Sequence, residues 1–255
     1  SQYYFSFSFE SIYFVSGFIC LILTLLMWIG APQFKSVTEQ KKNLVFKRSY
    51  WLYYALTFMS GARRQIFVVF AAFLMVEKFN YSVSDIAALF IINHTFNWLF
   101  ASKIGQLVGK FGERKALTFE YCGLFLVFYA YAYVENAMLA GALYVVDHLF
   151  FSLAIAIKTY FQKIAEPSDI ASTAGVAFTI NHIAAVFIPF SFGLVWLISP
   201  KFVFLMGAFM SLISLILARN IPNNPKFGNE VIWDFINRSN PVSYTHLTLP
   251  TNGEV

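Results

Sequence analysis

Charge is scarce in this sequence. Of its 255 residues only 12% are Asp, Glu, Lys or Arg, while 58% are hydrophobic and the mean hydropathy is +0.63, a balance outside the range of ordinary soluble domains. Other shortages narrow the chemistry. Two cysteines, Cys20 and Cys122, both fall inside apolar runs, so no disulfide scaffold is available and each reads as a small buried hydrophobe. His94, His148 and His182 stand on separate apolar segments without His-x-x-x-His spacing, which leaves a di-iron hydroxylase without its ligands. No glycine-rich loop leads into Lys-Ser/Thr, which excludes direct coupling to ATP, and no cofactor motif is present. The formal net charge of +5 is scattered between apolar runs rather than gathered in one patch, so nucleic acid is not the expected partner. From Ser1 onward there is no charged leader with a cleavage site, and the chain reads as a fragment.

What is present is a series of long apolar segments. A membrane span needs ~20 such residues. Seven are found: Ile12 to Ile29, Trp51 to Val76, Asp85 to Ile104, Ala116 to Val134, Met138 to Phe161, Ile170 to Ile198 and Phe202 to Ala218. The intervening charges set their direction. Lys35, Lys41, Lys42, Lys47 and Arg48 fill the first linker, and Lys103, Lys110, Arg114 and Lys115 surround the link between the third and fourth spans. With Lys158, Lys163, Arg219, Lys226 and Arg238 these make a cytoplasmic set, against only Lys78 and Lys201 outside. Linker and tail are therefore expected in the cytoplasm, with the spans in a bilayer such as a bacterial inner membrane.

The pattern also repeats. Ser84-Asp85-Ile86-Ala87 recurs 84 positions later as Ser168-Asp169-Ile170-Ala171, and Ile-Asn-His follows each, at Ile92 to His94 and Ile180 to His182. The same shift lays Arg63 and Arg64 over Asp147 and His148. Spans two to four and five to seven therefore read as copies, and an odd number of helices per copy inverts one relative to the other.

Between the third and fourth spans lies Gly105 to Lys115, Gly-Gln-Leu-Val-Gly-Lys-Phe-Gly-Glu-Arg-Lys, whose glycines suit a tight reversal. This stretch resembles the signature between the second and third helices of each half of a major facilitator superfamily transporter. Gly105, Lys110, Gly112 and Arg114 carry the match; Gly109 stands where the family usually has an aspartate, and Glu113 where it often has a basic residue. The gating role that the resemblance implies is thus expected for the loop but not for an ion pair at position 109. The resemblance implies an all-α membrane fold in which residues 51–220 form a carboxy-terminal six-helix half, a three-plus-three inverted repeat. Residues 1–30 then hold the last helix of the amino-terminal half, 31–50 a cytoplasmic linker and 221–240 a cytoplasmic tail. Five further helices are expected upstream, as the missing half of the same chain.

The membrane segments carry polar side chains at a common depth. At ~1.5 Å per residue, Arg63, Asn93, His94, Asp147, Asn181 and His182 all fall near the middle of a ~30 Å apolar core, where ionisable groups face a wet cavity or a partner. Arg63, Arg64, Asn93, Asn97 and Asn181 are the candidate solute contacts. Asp147, His148, His94 and His182 are the candidates for proton coupling. Neighbours on a helix point ~100° apart, so one of Arg63/Arg64 and one of Asp147/His148 is expected to face the cavity. Asn93 and Asn97 share a face, as do Asp147 and Lys158, while Glu120 is expected to pair with the nearby basic loop. The alternative is that these groups only fasten helices together by hydrogen bonds and an Arg-Asp pair. The reading favoured by the residues is a carrier that moves a small solute by alternating access, with proton-coupled uptake of a polar or anionic metabolite ahead of drug or solute efflux. A membrane enzyme or receptor-like protein is the remaining option. Asn240 to Tyr244 spells Asn-Pro-x-x-Tyr, a receptor motif, but residues 241–255 resemble a translated sequencing adapter and are set aside as an artefact.

Overall fold

The computed structural model describes residues 8–31 and 38–233. The adapter-like tail, the Asn-Pro-x-x-Tyr match, Lys35 and Arg238 lie outside the described residues. The chain divides into two units, Ser1–Glu39 and Gln40–Val255. The first holds α1 (Phe9–Gly30), started by Ser8, whose hydroxyl accepts from the Ser11 amide at 3.2 Å; none of its residues is buried.

The second unit is a helical bundle. Among the described residues its only β pairing is an isolated bridge between Lys226 and Asn229. One rod, Arg48–Phe79, comprises α2 (Trp51–Gln65), a π-helical segment (Ile66–Ala71) and α3 (Ala72–Phe79). Then come α4 (Val83–Phe111) and α5 (Glu113–Ala132). A second composite rod, Ala137–Ile164, joins α6 (Ala137–Phe151) through a 3-10 turn (Ser152–Ala154) to α7 (Ile155–Ile164). The last two helices are α8 (Ile170–Ile198) and α9 (Pro200–Arg219). Among the described residues, five helices are long and apolar enough to cross a membrane: α1, the two composite rods, α8 and α9. The sequence reading counts α4 and α5 as spans too, but polar side chains such as Asn93, His94, Asn97, Lys115 and Glu120 dilute their hydropathy below that standard.

Local chemistry fixes the ends. Ser82 and Asp85 form a reciprocal capping box at the start of α4, with Ser82 Oγ accepting from the Asp85 amide at 3.2 Å and the Ser82 amide donating to Asp85 Oδ2 at 2.8 Å. Asn136 caps α6 by accepting from the Leu139 amide at 3.0 Å. Pro200 opens α9, where its missing N–H is no loss. The expected glycine-rich loop is corrected here. α4 runs on through Gly105 and Gly109 to Phe111, and the reversal is made by Gly112 alone, at φ +84° and ψ 155°, a region open essentially only to glycine. Lys110 therefore ends α4 and Arg114 begins α5.

α5 packs most extensively on α9, and α2 on α8. Small residues allow this: a Cβ at Gly207 of α9 would lie 2.5 Å from the Phe128 ring, and one at Gly61 of α2 would lie 2.5 Å from Asn181 Oδ1. Phe67 stands edge-on to Phe128 and Tyr131, with ring centroids 5.1 and 4.9 Å apart, inside the seam. Outward faces carry Trp98, Phe119, Leu126, Phe187 and Phe190, apolar surface of the kind that lipid covers. Cys20 and Cys122 are exposed as well, which corrects the expectation that both are buried.

The described part of the linker is fastened to the turn between α7 and α8. Asp169, with no exposed side-chain surface, accepts from Lys41 Nζ at 2.6 Å, Lys47 Nζ at 2.5 Å and Tyr50 Oη at 2.9 Å. Glu166 takes Lys47 at 2.8 Å. Burial opposes charge on Lys47, but Asp169 and Glu166 outweigh it and hold its ammonium above the ordinary lysine pKa.

Candidate functional site

A cavity of about 400 Å³ opens between α2, α4 and α6. Its wall consists of Arg64, Phe67, Val68, Phe90, Asn93, His94, Asn97, Asp147, His148 and Phe151. Six side chains chosen from the sequence thus meet in one place although they come from three helices. Two helical irregularities border the cavity. The π-helical segment begins two residues after Arg64, and such segments turn the following side chains out of α-helical phase. Opposite it, the 3-10 turn at Ser152–Ala154 follows Phe151 directly.

Arg63 and Arg64 separate, as the ~100° between helical neighbours allows. Arg64 is exposed and lines the cavity, its guanidinium 5.7 Å from the Phe151 ring centroid. Arg63 is 1% exposed and turns into the bundle, where Nη2 lies 3.9 Å from Glu120 Oε1 and the guanidinium sits 4.3 Å over the Tyr121 ring. Its Nε donates to the Met59 carbonyl at 3.1 Å. Glu120 is fully buried beside Arg63, not paired with the basic loop, because α5 presents that position to α2. Asp147 also lies within reach of the Arg63 charge, so one cation is shared by two acidic side chains. Sequence reasoning missed Glu120 as a partner. The signal was there, since a carboxylate inside an otherwise apolar run calls for an internal cation.

Asp147 and His148 both line the cavity, against the expectation that only one would. Their side chains stay together, Asp147 Oδ2 lying 3.7 Å from His148 Nδ1, and the pocket reaches far enough around α6 to touch both. The histidines share one arrangement: Nδ1 of His94, His148 and His182 meets the carbonyl oxygen of Phe90, Tyr144 and Phe178 at 2.8, 3.0 and 2.9 Å. A carbonyl only accepts, so each Nδ1 carries the hydrogen, and the neutral ring offers Nε2 as an acceptor. Asn93 is 2% exposed, and neither its Oδ1 nor its Nδ2 has a hydrogen-bond partner. Asn97 lines the same wall, as their shared face requires.

The remaining expected contacts lie elsewhere. Asn181 and His182 are exposed on α8 and do not line the cavity, the His182 ring lying tilted against Phe178 with ring centroids 4.0 Å apart. Lys158 is exposed, beyond the 3-10 turn that separates α7 from α6. At the far end of α4 a second cavity of about 360 Å³ is lined in part by Lys110, Gly112, Glu113 and Lys163. There Glu113, 2% exposed, pairs with Lys163 at 2.6 Å, and Arg114 Nη1 donates to Asn223 Oδ1 at 3.2 Å. The ion pair at this turn is therefore carried by Glu113, one residue beyond Gly112.

A family model described as Major Facilitator Superfamily matches residues 2–189. The chain belongs to this superfamily. It is an integral membrane protein, and its relatives include an uncharacterised MFS-type transporter from Methanocaldococcus jannaschii, 25% identical over 225 residues. That match takes in 84% of this chain and 56% of the relative, so the superfamily member described here spans a little over half its relative's length. No solved structure matches the chain.

Proposed function

We propose that this chain supplies the carboxy-terminal half of a secondary transporter that moves a small polar solute by alternating access, coupled to proton movement. The observation that carries the reading is the convergence of Arg64, Asn93, His94, Asn97, Asp147 and His148 on one cavity inside an apolar bundle. Ionisable groups are costly among lipid tails, and a wet chamber at mid-depth is where a carrier needs them. Arg64, Asn93 and Asn97 are the solute contacts in this reading; Asp147, His148 and His94 handle the proton. The turn at Lys110, Gly112 and Arg114 acts at the cytoplasmic end.

All seven helical rods are spans in this reading, and helices α2 to α9 form two inverted triplets. Matching lengths support it: α4 and α8 each have 29 residues, and α5 and α9 each have 20. The packing supports it as well. α2 lies on α8 as α6 lies on α4, α2 lies on α9 as α6 lies on α5, and α5 and α9 pack on each other. A two-fold axis that exchanges the triplets generates this set of neighbours. Shifted by 84 positions, the π-helical segment falls across the 3-10 turn, so both composite rods leave α-helical geometry at corresponding places.

The test is transport by the full-length carrier in proteoliposomes, supplied with a metabolite extract and an inward proton gradient, with vesicle contents read by mass spectrometry. A solute should accumulate with the gradient and stop when it is collapsed, and Arg64→Gln or Asp147→Asn should each reduce accumulation at least tenfold. Absence of any gradient-driven accumulation refutes the carrier reading; full activity in both variants refutes the site.

A further inference from the structure

The sequence leaves the solute as polar or anionic, because two arginines stand at the expected depth. The structure removes one of them. Arg63 is sealed against Glu120 and Tyr121 and does not line the cavity, so Arg63 and Glu120 offset each other away from the solute. Among the described residues, the ionisable groups left on the wall besides the imidazoles are one guanidinium, Arg64, and one acidic side chain, Asp147. Everything else there is uncharged with the imidazoles neutral: the amides of Asn93 and Asn97, the rings of Phe67, Phe90 and Phe151, Val68, and the Nε2 acceptors of His94 and His148.

Such a wall discriminates against net charge. An anion drawn to Arg64 enters the field of Asp147, and a cation drawn to Asp147 meets Arg64. In a low-dielectric setting these like-charge encounters are strongly unfavourable. A solute bearing both charges satisfies both groups. Asn93 gives an independent sign of a ligand: it is almost fully buried on this wall, and both polar atoms of its carboxamide lack partners, which is unfavourable unless a solute supplies a donor and an acceptor. The volume, about 400 Å³, is at the lower end of the ~300–1,000 Å³ typical of ligand pockets. We infer that this cavity binds a small zwitterion of the amino-acid type, its carboxylate on Arg64 and its ammonium on Asp147, with the Asn93 carboxamide beside them to pair with the hydrogen-bonding sites that these two leave free. The inference rests on the carrier reading above and narrows its solute.

The experiment is uptake of four labelled probes by the full-length carrier in proteoliposomes: alanine and glutamine as zwitterions, lactate as the anion and ethanolamine as the cation. Wild type should take up at least one zwitterion about tenfold faster than lactate or ethanolamine. Asp147→Asn should lose that preference and gain lactate relative to zwitterion; Arg64→Gln should gain ethanolamine. Arg64 is exposed, so its variant keeps the test decisive if Asp147→Asn does not fold. Lactate or ethanolamine moving as fast as both zwitterions overturns the inference and leaves the carrier reading intact. An unchanged probe ratio in a folded Arg64→Gln protein also overturns it. Uptake of none of the four overturns it too, and the carrier reading then stands or falls on the metabolite-extract assay.

Discussion

Removing Arg63 should destabilise the bundle far more than neutralising Glu120, although the two form one pair. Both are at most 1% exposed, and their closest polar atoms are 3.9 Å apart. At an effective dielectric constant of ~20 such a separation corresponds to about 4 kcal/mol of attraction. Deleting one member of a buried pair typically costs about 3–5 kcal/mol, because the other is left uncompensated. The two deletions differ in what they leave behind. Arg63→Met strands Glu120 with Asp147 near it and no cation between them, so the full cost of about 3–5 kcal/mol is expected. Glu120→Gln leaves Arg63 with Asp147 still in reach and should cost less, about 1–2 kcal/mol, the lower part of the range for removing one partner of a buried polar group. In the double variant Arg63→Met/Glu120→Gln the loss should be smaller than the sum of the two by about 2 kcal/mol or more. The assay is denaturant unfolding of the protein in mixed micelles, followed by tryptophan fluorescence. Additive losses within about 0.5 kcal/mol, or equal losses from the two single changes, would refute the claim that one cation serves two carboxylates.

Three further outcomes are expected. Gly112→Ala places a Cβ where φ is +84°, and should lower stability by about 1–3 kcal/mol in the same unfolding assay, while Gly109→Ala, inside α4 with open space around it, should have little effect or stabilise slightly. Asp169→Asn removes the acceptor shared by Lys41, Lys47 and Tyr50, and should make the linker cleave at least several-fold faster with trypsin after Lys41 and Lys42, with the rest of the bundle intact on a gel. Lys163→Met leaves the nearly buried Glu113 without its cation and should cost about 1–3 kcal/mol, whereas the same change at exposed Lys158 should shift stability by less than about 0.5 kcal/mol.

Much of this was legible in the sequence, and the misses have physical causes. Helices and their order follow from apolar run length, and the depth of Arg64, Asn93, His94 and Asp147 follows from rise per residue; both are properties of one segment at a time. Rotation about the helix axis is different, since it accumulates every departure from ideal geometry. The 3-10 turn at Ser152–Ala154 is one such departure, and nothing in Ser-Leu-Ala announces it. Glycine content misled in the opposite direction. Gly105 and Gly109 suggested a loop, yet glycine is tolerated in a helix at a cost of ~1 kcal/mol each, and only Gly112 adopts a backbone that requires it. Asn181 and His182 share depth and motif with Asn93 and His94, but α8 and α4 occupy different places around the bundle, so equal depth did not bring them to one cavity.

The division of labour between Arg63 and Arg64 follows from these geometric facts. Here the two consecutive cations part, Arg64 to the chamber and Arg63 into the bundle, and the one that turns inward needs an anion already buried there, which Glu120 supplies from α5. That anion would be destabilising alone, so the pair exists because each member removes the penalty of the other. Asp147 then stands at the boundary, on the cavity wall on one side and within reach of the Arg63 charge on the other. In the proposed carrier, neutralising Asp147 with a proton or a solute ammonium would leave Arg63 to Glu120 alone. Since Arg63 sits on α2 and Glu120 on α5, that reading links the cavity to the contact between two helices without requiring the solute to touch either residue.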